Sequence, residues 1–150
     1  MNTIAFTPIG VVHTPYTQIA GMPIQSVAAQ HVAGTVELEP AFAGGLKDIE
    51  GFSHLWLFVY FHRSEGFALE VTPFMDDRPH GVFATRSPMR PNPIGLTVVE
   101  LLRRDGRRLH VRGVDMLDGT PILDIKPYLS SVPQESLRRG WLAEAETRRL

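Results

Sequence analysis

Two stretches of this chain hold polar and charged residues in arrangements that folding alone does not require. The first, residues 81–95, reads G-V-F-A-T-R-S-P-M-R-P-N-P-I-G. Pro88, Pro91 and Pro93 fall within six residues, and each proline ring fixes φ. Arg86 and Arg90 are thereby held in a stiff loop, with Asn92 trapped between prolines. Ordering long arginine side chains in advance reduces the entropy lost when they grip an anion. The competing reading is a rigid corner with solvated arginines. The second stretch, residues 115–128, reads D-M-L-D-G-T-P-I-L-D-I-K-P-Y. Asp118-Gly119-Thr120-Pro121 is first of all a turn. Asp124 and Lys126, however, share one face of a strand, with the phenol of Tyr128 close behind. An acid, an amine and a phenol at a strand's end could hold a polar ligand, or the first two could form an exposed ion pair.

Other chemical signatures are missing. There is no G-x-G-x-x-G, no phosphate-binding P-loop, no G-x-S-x-G elbow and no H-E-x-x-H. Cysteine is absent, which excludes disulfides, thiolate metal sites and cysteine nucleophiles. Among the six histidines, His54 and His62 stand eight residues apart on one strand, about 26 Å at the usual rise. The others lie singly, so no metal is expected, a site needing three or four converging ligands.

Charge is unevenly placed. Net charge is −1 over the 150 residues, but residues 78–112 hold eight arginines against Glu100 and Asp105. Residues 1–77 hold eight acids against Lys47 and Arg63. Segregation of this kind suggests a basic face for an anionic partner. Its competitor is a set of arginines, Arg103, Arg104, Arg107 and Arg108, that merely solvate one hairpin turn. No apolar run approaches the roughly 20 residues that span a bilayer, and residues 1–10 lack a secretory signal's basic head and apolar core. A cytoplasmic protein with no membrane partner is expected.

The elements that must position these residues read mostly as short strands. Residues 6–13 and 32–38 are strands, with a long loop over 17–30 between them, and 43–48 a helical turn. The strongest strand is 54–62, where Leu55, Leu57, Val59 and Phe61 point one way and Trp56, Phe58 and Tyr60 the other. A strand apolar on both faces needs a barrel core on one side and a second layer or subunit on the other. Residues 71–74 and 82–85 are further strands. Residues 96–103 and 108–114 flank Asp105-Gly106, a hairpin signal, and Asp118-Gly119 lies between 111–116 and 121–125. Residues 131–146 begin as a helix, with a last strand through Trp141-Leu142-Ala143 as competitor. The fold class is mainly β: a small antiparallel barrel with loop extensions and a short C-terminal helix or strand.

The two polar stretches, with I-G-V-V-H-T-P-Y at 9–16 and G-F-S-H-L-W at 51–56, make the chain resemble the TrmO (TsaA-like) family over about residues 6–129. The resemblance implies a single domain over 1–150, without the further C-terminal domain that bacterial members often carry. It implies a seven- or eight-stranded barrel, a homodimer, and S-adenosylmethionine as methyl donor. The implied reaction is N6-methylation of threonylcarbamoyladenosine beside the anticodon of tRNA. Carried over by position, the S-adenosylmethionine contacts would be Ile24, Gln25, Ser26, His62, Arg63, Arg86, Leu96, Asp118, Gly119, Thr120 and Pro121. Methyl transfer needs mainly positioning, but a base would help to remove the proton from nitrogen, and His62, Asp124 and Tyr128 are the available side chains. Arg90, Asn92 and Lys126 would face the substrate, the two cations pairing with phosphate or the threonyl carboxylate. The alternatives are a methyltransferase of a small anionic metabolite and a non-enzymatic ligand- or RNA-binding barrel.

Overall fold

Short segments of alternating apolar and polar residues put one face of each strand inward, and in the computed structural model six such strands close on themselves. The structure describes residues 1–18 and 30–149. The strands are β1 (Gly10–His13), β2 (Ala33–Leu38), β3 (His54–Tyr60), β6 (Ile94–Asp105), β7 (Arg108–Arg112) and β8 (Thr120–Pro127), in barrel order β1-β2-β7-β6-β3-β8. All neighbours are antiparallel. Among the described residues, two further strands, β4 (Glu70–Val71) and β5 (His80–Gly81), pair only with each other. Among the described residues the barrel has six strands where the resemblance implied seven or eight; β4 and β5 form a separate two-stranded sheet.

The described chain divides into two compact units. One joins Met1–Arg63 to Ile94–Tyr128 and contains the barrel; the other joins Ser64–Pro93 to Leu129–Leu150. In the barrel unit Val12, Val36, Leu55, Leu57, Val59, Val99, Leu109, Val111 and Ile122 fill the interior, all nearly without solvent contact. Burial of each such side chain contributes about 1.5–3 kcal/mol. Along β3 the inward set is Leu55, Leu57 and Val59, as the alternation predicts, and Phe61 packs beside them.

Two bulges set the outward faces. On β8, Asp124 pairs with Phe58 but Ile122 pairs with Val59, so Leu123 is the extra residue. On β6, Leu101 pairs with Val111 but Arg103 pairs with His110, so Leu102 is extra. Without the second bulge, Arg103 would face Leu109 and point into the core; with it, Arg103 points outward.

Several sequence expectations shift. The first strand begins at Gly10 rather than residue 6. The hairpin turn comprises Gly106 and Arg107, with Asp105 paired to Arg108 as the last strand residue. Gly106 adopts φ +62°, the first central position that such a turn reserves for glycine. The expected 71–74 strand is reduced to Glu70–Val71. Residues 82–85 are not a strand: Val82–Ala84 is a 3-10 turn, curled because the Val82 carbonyl accepts both the Thr85 N–H (3.1 Å) and its hydroxyl (2.9 Å). At the C-terminus, Pro133 precedes only the 3-10 turn Gln134–Ser136, and the α-helix, α1 (Trp141–Arg149), starts after Gly140 at φ +55°.

Within the second unit, α1 is anchored by polar contacts. The Trp141 ring stacks on His80 at 4.6 Å and its Nε1 donates to the Ala84 carbonyl at 2.8 Å. The Asp76 carboxylate, 3% exposed, accepts from His80 Nε2 at 2.6 Å and from Arg148. The His80 hydrogen bond above all, with the Asp77 N–H and the Arg148 charge, brings the Asp76 carboxyl down to about 2 against the opposite pull of burial.

Candidate functional site

Barrel closure brings the end of β3, the start of β8 and the start of β6 together at one rim. Val59 pairs with Gly95 on one side and Ile122 on the other, so His62, Arg63, Leu96 and the 118–121 turn all lie within a few residues of that level. His62 and Leu96 are exposed, and His62 has no hydrogen-bond partner among the described residues. Arg63 Nη1 donates to the Thr17 carbonyl at 3.3 Å, which ties the rim to the chain leading into residues 19–29. Ile24, Gln25 and Ser26 lie outside the described residues.

The Asp118-Gly119-Thr120-Pro121 turn is braced from within. Asp118 Oδ1 accepts the Thr14 N–H at 3.0 Å, and the Asp118 N–H donates to the Tyr16 carbonyl at 2.7 Å. Gly119 takes φ +81°, and its N–H reaches the Val12 carbonyl at 2.9 Å. The Thr120 hydroxyl donates to the Leu117 carbonyl at 2.6 Å and the residue is buried. Thr120 thus fixes the turn's shape, while Asp118 keeps a partly exposed carboxylate at the rim.

Behind the rim sits a close contact that sequence reasoning misses. A Cβ on Gly95 would meet Phe61 Cζ at 2.3 Å, so the Phe61 ring occupies the space that glycine leaves open. Phe61 immediately precedes His62 and Arg63, and its packing sets the path of both. A glycine between two strand residues, Ile94 and Leu96, is the sequence signal for such an approach.

Arg86, Arg90 and Asn92 belong to the second unit. The proline loop is ordered by hydrogen bonds to its carbonyls: Arg90 Nη1 donates to the Thr85 carbonyl (3.0 Å) and the Ser87 carbonyl (2.9 Å), and Ser64 Oγ to the Pro88 carbonyl (3.0 Å). One nitrogen of Arg90 is therefore structural. Arg86 and Asn92 are exposed.

The remaining candidates line the outer face of β8. Asp124 accepts from the Ile125 N–H (2.9 Å) and pairs with Lys126 Nζ (3.0 Å), both side chains half exposed or more, which is the simple ion pair. Lys126 lies over the Phe58 ring at 6.0 Å. Tyr128 packs against Trp56 (5.4 Å) and His54 (6.4 Å). Its N–H bonds the His54 carbonyl, at the far end of β3 from His62. The chain does not bring His62, Asp124 and Tyr128 to a single point. The face they share is apolar, with Tyr60, Ile94, Leu96 and Tyr128 each about 40% exposed.

The hairpin arginines divide. Arg104 Nη1 bonds Leu46 O (3.2 Å) and Glu50 (3.1 Å). Arg107 bonds Leu38 O (2.8 Å) and Glu37 (3.1 Å), Arg108 lies 3.7 Å from Glu37, and Arg112 meets Glu100 at 2.6 Å. Among the described residues, Arg103 has no such partner. Also among them, no group of three metal-ligating side chains converges, and no helix is long and apolar enough to cross a membrane.

Comparison with known proteins adds four findings. Residues 11–134 match the profile of the tRNA-methyltransferase O N-terminal domain. A probable S-adenosyl-L-methionine-binding protein of Pyrococcus abyssi is 52% identical over 93% of this chain and 76% of its own length. The tRNA (adenine(37)-N6)-methyltransferase of Escherichia coli is 37% identical over 91% of this chain and 63% of its own. Crystal structures of TrmO, one of them from Pseudomonas aeruginosa, superpose with TM-scores of 0.76 and 0.78 at 36% and 38% identity. These cover 93% of this chain, which spans 62% and 64% of the solved chains.

Proposed function

Because the chain belongs to the TrmO family, we propose that it is an S-adenosylmethionine-dependent methyltransferase acting on tRNA. The observation that carries this reading is the match of nearly the whole chain to the Escherichia coli tRNA (adenine(37)-N6)-methyltransferase. The names of the Pyrococcus abyssi and Escherichia coli relatives support the cofactor and the substrate class respectively. The acceptor we assign is the exocyclic nitrogen of N6-threonylcarbamoyladenosine beside the anticodon. The compartment is the cytoplasm, where tRNA is modified.

The rim fits such a ligand chemically. S-adenosylmethionine carries a carboxylate, an ammonium and an adenine, and the rim offers the Arg63 guanidinium, the Asp118 carboxylate and the apolar surface of Leu96. Ile24, Gln25, Ser26, Arg86 and the backbone of Gly119 to Pro121 complete the assignment. When bound, the sulfonium supplies a methyl group electrophilic enough for direct transfer. The protein's task is then to align acceptor and methyl, for which a rigid rim suffices. The acceptor N–H must lose its proton. Of the three candidate bases we assign His62, which is exposed at the rim and unpartnered among the described residues, whereas Asp124 is engaged by Lys126. Arg90, Asn92 and Lys126 are assigned to the acceptor's anionic groups.

The exposed apolar face of β6, β3 and β8 supports a homodimer, since Tyr60, Ile94 and Leu96 lie side by side there. The test of the function is transfer of labelled methyl from S-adenosylmethionine to total tRNA, followed by nuclease digestion and identification of the product nucleoside. Label in any nucleoside other than methylated threonylcarbamoyladenosine contradicts the assignment.

A further inference from the structure

A cleft of about 520 Å³ opens on the outer wall of the barrel, across β1, β2, β7 and β6, and includes none of the residues assigned to S-adenosylmethionine. Its residues follow from register. His13 pairs with Thr35, Thr35 with His110, and His110 with Arg103, so four side chains stand in one row across four strands. At the usual strand spacing of about 4.8 Å, the row is about 15 Å long. Thr14 and Leu102 add to the lining.

Arg103 joins the row only because of the bulge at Leu102, which turns it away from the core. Bulges of this kind re-aim a side chain. Among the described residues Arg103 and His110 have neither an ion-pair nor a hydrogen-bond partner, although Arg104, Arg107, Arg108 and Arg112 on the same hairpin are all engaged. The carboxylate nearest the row, Glu37, is already held by His13 (2.9 Å), Arg107 and Arg108, and its pKa is lowered, first by the His13 hydrogen bond. The second, Asp118, is bonded to the Thr14 N–H. A guanidinium fork, an imidazole and a hydroxyl thus line an open cleft beside acids that are already neutralised or hydrogen-bonded.

We propose that this cleft binds a backbone phosphodiester of the RNA acceptor, Arg103 supplying the charge and His110 and Thr35 the flanking N–H and O–H donors. Arginine's planar fork matches two phosphate oxygens at once. The assignment rests on the tRNA reading above. It narrows the basic hairpin from four arginines to one, since the others hold carbonyls or carboxylates of their own chain.

The experiment is fluorescence anisotropy with a labelled anticodon stem–loop RNA, titrated at about 50 to 200 mM salt against wild type, Arg103→Gln, Arg103→Gln/His110→Gln and Arg103→Lys. Each lost phosphate contact lowers the log–log salt slope by about 0.7–0.9. The advantage of wild type over the double variant should therefore shrink about threefold across that range. Arg103→Lys should keep the slope, because it keeps the charge. S-adenosylmethionine affinity, measured by calorimetry on the same preparations, should not change. Should the double variant fold poorly, Arg103→Gln alone gives the same readout. RNA that binds wild type and is methylated, but with affinity and slope unaltered in the glutamine variants, overturns the cleft while leaving the function standing. Wild type that binds no RNA removes both.

Discussion

Gly95→Ala is the substitution whose consequence is most directly worked from the structure. The new methyl would lie 2.3 Å from Phe61 Cζ, more than 1 Å inside ordinary carbon–carbon contact of about 3.5 Å. Gly95 is held in the β3–β6 ladder opposite Val59, so the backbone does not yield easily and the ring must move. Overpacking of this kind costs about 1–3 kcal/mol. At about 2 kcal/mol, a domain of this size melts roughly 4–8 °C lower. Because Phe61 leads directly into His62 and Arg63, turnover should fall by roughly tenfold or more. Thermal unfolding by circular dichroism reads the first effect and a methyl-transfer assay the second. A smaller side chain at position 61 should relieve the clash. Phe61→Leu alone should cost about 1 kcal/mol, and the double variant should be more stable than the sum of the single losses by 1 kcal/mol or so. Strict additivity, or a Gly95→Ala protein with the wild-type melting temperature, would refute the packing argument.

Other expectations follow from single contacts. Asp76 has its carboxyl lowered to about 2 from about 3.9 in the unfolded chain, so its stabilising contribution is complete above about pH 4 and is lost as pH falls through about 2. Asp76→Asn should flatten the dependence of unfolding on pH in that window, and equal slopes for variant and wild type would contradict it. Arg104→Gln and Arg107→Gln, which lose bonds to the Leu46 and Leu38 carbonyls, should each destabilise by about 1 kcal/mol, whereas Arg103→Gln should not. Arg86→Ala should weaken S-adenosylmethionine binding about tenfold or more in calorimetry; unchanged affinity removes Arg86 from the site. Light scattering should give a dimer at micromolar concentration, and Tyr60→Asp should shift it to monomer.

The barrel was legible wherever alternation was strict. β3 announced both its faces, and Leu55, Leu57 and Val59 do point inward. Alternation says nothing of which strands close, so six could not be separated from seven or eight. It also cannot reveal a bulge: Leu102 and Leu123 look like ordinary strand residues, yet they decide where Arg103 and Asp124 point. Thr85 turned a strand-like V-F-A into a 3-10 turn through one hydroxyl, a local competition that composition does not weigh. His62, Arg63 and Asp118 were singled out by position from the resemblance, and strand register puts them within a few residues of one barrel rim. The engagement of Arg104 and Arg107 with the Leu46 and Leu38 carbonyls was not legible, because those partners lie 58 and 69 residues away. The outer row of His13, Thr35, His110 and Arg103 was hidden for the same reason: only register assembles it.

The measurement that tests the central claim is methyl transfer from labelled S-adenosylmethionine to two tRNA pools, one from normal cells and one from cells unable to make the threonylcarbamoyl group. Label should enter the normal pool alone, at the modified adenosine beside the anticodon, and transfer should fall when His62 is replaced by Ala. Equal labelling of both pools, or no labelling of either by folded protein, would contradict the account.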